Sequence, residues 1–184
     1  MMWLLLGMVL FLTPHILTLT HYRALLVDRM GKRYQGVYAL VSLAGFLLMF
    51  WGRGEAEYQH LYVLSWHYGA RHLCYGLVLS FFVLLAAMFI PCNLRRRLHH
   101  PMLTGFVLWA IGHLLVNGDL ASVLLFATIG LYALIALVVL VKRGKLCTLP
   151  AQPWWKDLLV FVVGVVLYVA FVSLHGPLFG IALR

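Results

Sequence analysis

Long, continuously apolar stretches alternate along the chain with short polar segments. Six apolar runs stand out: Trp3 to Thr20, Gly36 to Gly52, His72 to Pro91, Pro101 to Gly118, Leu120 to Val141 and Leu158 to Ile181. Within them Leu, Val and Phe follow one another without period-two alternation, which excludes the strands of a transmembrane barrel. A bilayer core of about 30 Å takes about 20 residues of helix, and each run approaches that length. The pattern predicts an all-α, polytopic membrane bundle of about six transmembrane helices.

Composition agrees. Hydrophobic residues make up 64% of the 184 residues and charged residues 10%, with a mean hydropathy of +0.98; no soluble domain of this size has that balance. The net charge of +9 raises the question of nucleic acid, but its distribution answers it. Arg23, Arg29, Lys32 and Arg33 follow the first run, Arg95, Arg96 and Arg97 the third, and Lys142, Arg143, Lys145 and Lys156 the fifth. Eleven of the fourteen basic residues thus occupy alternate loops. The opposite loops carry Arg53 and Arg71 beside Glu55 and Glu57, then Asp119, and Arg184 ends the chain. By the positive-inside rule both termini face away from the cytoplasm, as an even number of spans requires. A basic cytoplasmic face against anionic lipid accounts for the charge, and no nucleic-acid partner is expected.

The first run has no basic start and no small-residue cleavage site before Arg23, so it reads as a retained helix rather than a secretion signal. The polar stretches are too short to fold alone, and residues 1–184 form a single integral membrane domain. Pro150, Pro153, Trp154 and Trp155 read as an interfacial anchor. Cys92 and Cys147 fall on the cytoplasmic side and Cys74 near the other, so no intramolecular disulfide is expected. No C-x-x-C-H run provides for covalently attached haem. A P-loop, H-E-x-x-H, G-x-S-x-G and a carboxylate pair at membrane depth are all missing, which removes nucleotide hydrolysis, zinc proteolysis and acyl transfer.

What remains is nine histidines against five carboxylates. His21, His60, His67 and His99 fall at loops or boundaries and read as solvated. His113 lies deep in the fourth run between Trp109 and Asn117, where an ionisable group calls for a functional partner. At about 1.5 Å per residue, His113 lies about 12 Å from the outer boundary and His15 about 18 Å from it. The two imidazoles can meet if the first and fourth helices pack, an arrangement that suits a b-type haem held by axial histidines from facing helices. His100 lies about 20 Å along the helix from His113 and cannot share its iron. His72 and His175 lie near the outer boundary and rank as secondary candidates. A helical projection puts Gly105, Gly112, Val116, Trp109, His113 and Asn117 in one arc, where small residues admit a helix or a flat cofactor. Tyr38, Ser42, Gly45 and Met49 form a similar stripe, as do Gly164, Tyr168, Phe171 and His175. Helix packing explains the glycines and aromatics of these faces but not an imidazole. A histidine cluster could equally hold zinc or copper.

The stretch His100 to Phe126 resembles the NnrU family of bacterial inner-membrane proteins. The pattern H-P-x-L-x-G-x-x-x-W-x-x-x-H-L-x-x-N-G is carried by His100, Pro101, Leu103, Gly105, Trp109, His113, Leu114, Asn117 and Gly118. Agreement extends to His15, to Tyr38, Ser42 and Gly45, to Arg71 and His72, to Pro91 and Asn93, and to His175. His99 departs from the arginine usual before the H-P pair. The resemblance implies an inner-membrane location and a link to nitrite and nitric oxide metabolism in denitrification. The family's relative, the 15-cis-zeta-carotene isomerase, uses haem b for a redox-dependent isomerisation. Carried over, it makes His15 and His113 the haem-iron ligands. Arg71 and His72 become candidates for the haem propionates or rim, and His100 and Asn117 for positioning. Helix four has Ala110, not a cysteine, one turn before His113, so a nearby thiolate ligand has no counterpart there.

Three classes follow: an isomerase or oxidoreductase acting on an apolar polyene or a small nitrogen oxide, a haem protein that carries electrons or senses nitric oxide, and a haem-free transport or assembly factor with a histidine-lined path.

Overall fold

The computed structural model describes residues 1–62 and 68–179. His67, the expected end of the last run at Ile181, and Arg184 lie outside the described residues. Eight helices follow one another: α1 (Met2–Thr18), α2 (Tyr22–Met30), α3 (Arg33–Gly54), α4 (Tyr68–Phe89), α5 (Asn93–Leu98), α6 (Pro101–Val116), α7 (Leu120–Lys142) and α8 (Trp154–Phe179). Among the described residues there is no strand, and His60 and Asp119 form an isolated antiparallel bridge.

All six apolar runs are helical, but they are not equivalent. α3, α4 from Gly69, α7, and α8 as far as Leu178 are each long and apolar enough to cross a membrane. α1, with 17 residues, reaches that standard only together with α2, from which it is bent by 95°. α6, with 16 residues, extends about 24 Å, less than a bilayer core. Among the described residues there are therefore four to five helices able to span, where six are expected from the runs. The shortfall has local causes. The hydroxyls of Thr18 and Thr20 donate to the carbonyls of His15 and Leu17 at 2.6 and 2.9 Å and close α1 early. Pro101 at the first position and Asn117 in an extended conformation bound α6 at both ends.

The helices form two compact units. The first comprises Met1–Leu61 and Asp119–Thr128, the second Tyr62–Gly118 and the chain from Ile129 onward. In the first unit α1 and α3 pack antiparallel, with contacts running from the stacked rings of Trp3 and Trp51 at 6.1 Å to His15 and Tyr38 at 5.3 Å. Three glycines make the approach possible. A Cβ on Gly7 would meet the Met49 amide nitrogen at 2.5 Å and the Gly45 oxygen at 2.8 Å. One on Gly45 would overlap the Phe11 backbone, and one on Gly52 the Leu4 backbone. Water does not drive helices together in lipid, so close van der Waals contact between small residues must do so. α2 contributes no buried residue and ends at Gly31, whose φ of 54° suits a residue without Cβ.

In the second unit α4 is central, with α6 and α8 packed on it antiparallel. Gly105 and Gly112 of α6 face Phe81, Leu84, Leu77 and Cys74 of α4, and Gly164 of α8 faces Val83. Ala86, Ala87, Cys92 and Val160 form a buried cluster. Asn93 fastens α5 to the start of α8: its amide donates to the Gln152 carbonyl and Asp157 Oδ2, both at 2.7 Å, and its oxygen accepts from the Gln152 amide at 2.9 Å. α7 buries Ala133 and Ala136 and brings Gly130 against Ala110 of α6, whereas much of α8 is bare. Only 11% of the α8 span is buried, and Leu159, Phe161, Val162, Val166 and Val169 are exposed, a surface that matches lipid.

Gly7→Ala places a methyl group against backbone that cannot rotate away, so a loss of about 1–3 kcal/mol is expected. Gly36→Ala, with nothing within 4 Å, should be neutral or slightly stabilising through helix propensity. Thermal unfolding in detergent checks the contrast, and equal midpoints would refute this view of the α1–α3 contact.

Candidate functional site

α6 begins where His100 forms its N-cap and Pro101 takes the first position, a place that requires no amide hydrogen. Its last turn carries His113. The ring Nδ1 lies 2.9 Å from the carbonyl oxygen of Trp109. A carbonyl only accepts, so Nδ1 carries the hydrogen, and in the neutral ring Nε2 is the nitrogen with the lone pair. The ring packs against Trp109 with centroids 4.7 Å apart, and Trp109 adjoins Phe81 at 6.2 Å and Phe106 at 6.1 Å.

The end of this helix is closed by side chains. Asn117 Nδ2 donates to the His113 carbonyl at 2.9 Å. The Tyr62 hydroxyl reaches the carbonyls of Leu114 at 2.6 Å and Asn117 at 3.2 Å. The Tyr62 amide donates to the Gly118 oxygen at 3.2 Å. A Cβ on Gly118 would overlap the Tyr62 carbonyl, so the crossing of these two backbones requires glycine. Gly112 and Gly105 turn toward α4, while Trp109, His113 and Asn117 lie half-buried on the flank. Gly112 therefore serves the contact with α4. Cys74 of that helix is buried, with its carbonyl 3.4 Å from where a Gly112 Cβ would be. A cysteine thus borders α6 from a neighbouring helix, which inspection of the fourth apolar run alone could not reveal.

His15 occupies the last turn of α1, directly after Pro14. Its Nδ1 lies 2.6 Å from the Phe11 carbonyl, so the same argument assigns it an Nδ1–H tautomer and a lone pair on Nε2. Phe11 stacks on the ring at 4.1 Å and Tyr38 approaches at 5.3 Å. One turn beyond Tyr38, Ser42 Oγ is buried with no hydrogen-bond partner among the described residues. The two histidines share one local design. Each sits in a terminal turn, binds the carbonyl four residues back, and lies beside the aromatic ring of that same residue.

Arg71 and His72 are exposed in the first turns of α4. His175 is half-buried on α8 with Phe171 at 6.4 Å. His21 and His60 are exposed. His99 is not simply solvated, because its Nδ1 accepts the Cys147 amide at 3.2 Å and ties the segment after α7 to the turn before α6. Among the described residues no group of three or more His, Cys, Asp and Glu side chains is arranged to hold a metal ion, so the zinc or copper alternative has no ligand set there.

The first unit also holds a polar clasp that reading the sequence missed. Arg53 Nε and Nη2 donate to Ser122 Oγ at 3.1 and 2.9 Å, and Nη2 lies 3.7 Å from Asp119 Oδ2. Asp119 Oδ1 accepts the Ser122 amide at 2.9 Å, while Asp119 and Ser122 are 7% and 0% exposed. Asp119 directly before an apolar helix is a recognisable capping signal. Its pairing with Arg53, 66 positions earlier in the sequence, had no sequence signal.

The exposed apolar helices and the few polar groups satisfied within them define a polytopic helical membrane protein. The match to the family model of the NnrU protein runs over residues 3–183, nearly the whole chain, and the chain belongs to the NnrU family. No curated protein and no solved structure matches it.

Tyr62→Phe removes the donor that closes α6 and leaves carbonyls beside His113 unpaired. A stability loss of about 1–2 kcal/mol is expected, measured as a lower unfolding midpoint in detergent. An unchanged midpoint would mean that the Tyr62 hydroxyl does not close this helix.

Proposed function

We propose that this NnrU-family protein is a bacterial inner-membrane haem protein. In this reading it crosses the bilayer six times, with both termini on the non-cytoplasmic side, and His15 and His113 would hold haem b through its iron. One observation carries the reading: each of these rings donates Nδ1–H to a backbone carbonyl, which presents Nε2 as the lone-pair nitrogen. That second-sphere hydrogen bond is the usual partner of an iron-bound imidazole, where it fixes orientation and raises basicity. The donor set fits a b-type haem, which needs two imidazoles and no covalent link to the porphyrin. Trp109 beside one ring, itself backed by Phe106 and Phe81, and Phe11 and Tyr38 beside the other, would add the apolar aromatic walls that a porphyrin face prefers.

The six-span topology includes α1 and α6 as short spans beside α3, α4, α7 and α8. It puts the basic segments after α1, α4 and α7 on the cytoplasmic side. Arg71 and His72, at the start of α4, are positioned by charge to meet carboxylates of a cofactor at the outer rim. When bound, haem would supply one-electron exchange and an iron able to take a small ligand such as nitric oxide. The protein's own residues would supply orientation. Asn117 and Tyr62 hold the end of α6, the Gly105 and Gly112 contact sets α6 on α4, and the Phe11 and Trp109 carbonyls fix the ring tautomers. A redox-dependent isomerisation of an apolar polyene and a role in nitrogen-oxide metabolism are the two activities that suit this centre.

Absorption spectra of the purified protein, oxidised and dithionite-reduced, test the reading. The wild type should show a Soret band and sharpened reduced bands of a low-spin, bis-histidine centre. His113→Ala and His15→Ala should each abolish that low-spin spectrum and reduce haem content about tenfold or more, the scale of losing one strong ligand. Full haem content in His113→Ala, or a folded and colourless wild type made with ample haem, would overturn the proposal.

A further inference from the structure

The connection from α4 to α6 carries three consecutive arginines, and each has a different environment. Arg95 Nη1 donates to the Met88 carbonyl at 2.8 Å and closes the end of α4. Arg97 is exposed and within electrostatic reach of Asp157. Among the described residues Arg96 buries its Nε–H with no acceptor, and His100, four residues on, buries Nε2 with no hydrogen-bond partner. A guanidinium Nε always bears hydrogen, so Arg96 presents an orphaned donor on a full positive charge. Leaving such a group unpaired costs about 1–3 kcal/mol or more.

The backbone draws the two residues into one turn. The His99 amide donates to the Arg95 carbonyl at 2.9 Å, His99 then adopts φ 61°, and the His100 amide closes onto the Leu98 carbonyl at 2.6 Å. A positive φ at a residue with a side chain costs about 1 kcal/mol or more and persists where its surroundings enforce it. Here the Cys147 amide holds the His99 ring at 3.2 Å, which also brings the segment after Lys145 alongside. Asp157, the acid beside Arg97, takes its hydrogen bonds from the Asn93 side chain and the Leu94 amide. Arg96 Nε–H is a donor without an acceptor and His100 Nε2 becomes a second in its Nε2–H tautomer, so this segment of concentrated positive charge calls for an anionic acceptor from outside the chain.

We propose that the Arg96–His100 turn binds a phosphate group, with Arg96 Nε–H and His100 Nε2–H as its inward donors. Phosphate offers several acceptor oxygens to converging donors and pairs favourably with guanidinium. Its source is either a phospholipid head group or phosphate from solution. The site is independent of haem, and it is distinct from diffuse attraction of a basic face to anionic lipid. Arg97→Gln removes the same charge from the same helix, so a built site alone separates it from Arg96→Gln.

Native mass spectrometry of the detergent-purified full chain and thermal unfolding in zwitterionic detergent, with inorganic phosphate or chloride at matched ionic strength, test this. A phospholipid-sized adduct on wild type and R97Q, held about tenfold more weakly by R96Q through loss of a charge-assisted hydrogen bond, assigns the site to a head group. Absence of that adduct, with phosphate raising the unfolding midpoint of wild type and R97Q but not R96Q, assigns it to soluble phosphate. Equal behaviour of R96Q and R97Q in both measurements, or a wild type with neither adduct nor phosphate stabilisation, overturns the proposal. Arg96→Lys keeps the charge without the Nε–H; it replaces R96Q, with the same outcomes, should R96Q not fold.

Discussion

In hydrocarbon an unpaired peptide group costs several kcal/mol, because no water is at hand to replace the missing partner. The irregular places in this chain are organised around that constraint. Thr18 and Thr20 return their hydroxyls to carbonyls at the end of α1, Arg95 reaches the last turn of α4, and Tyr62 and Asn117 close α6. Asp119 caps the start of α7 by accepting the Ser122 amide, and Asp119 and the Ser122 hydroxyl receive Arg53 from the end of α3. The histidine rings follow the same rule. By donating Nδ1–H to carbonyls of their own helices, His15 and His113 meet one polar requirement locally.

Satisfied backbones still have to be brought together, and in lipid the apolar surface of a helix gains nothing by leaving its solvent. The contacts that matter are therefore those where no side chain intervenes. Gly7, Gly45 and Gly52 let α1 and α3 touch backbone to backbone, and Gly105, Gly112 and Gly164 do the corresponding work, less tightly at the two α6 positions, around α4. The histidine at the end of each short helix is then carried on a helix that glycine contacts hold against its neighbour, at Phe11 one turn before His15 and at Gly112 directly before His113.

Much of this was legible in the chain. The six apolar runs match α1, α3, α4, α6, α7 and α8 to within a few residues at most ends, because a continuous apolar run in lipid has no alternative to helix. Pro101 marked the start of α6 and Asn117 its end for the reasons the geometry bears out. α2 and α5 were not legible: at nine and six residues, in basic segments, they lack the length for a periodic signal. Length misled in a different way at α1 and α6, where polar caps end the helix before the apolar run ends.

The sequence by itself determined the membrane class, the helical elements, the family and the two imidazoles that stand out from apolar surroundings, since these follow from hydropathy, local pattern and one long motif. The tertiary structure decided what those residues face. It turned Gly112 toward α4, set Cys74 beside it, paired Arg53 with Asp119 and Ser122, and left Arg96 and His100 without acceptors. Hydrophobicity is a property each residue carries along the chain, whereas a hydrogen bond or a close approach exists only between two places that folding has brought together.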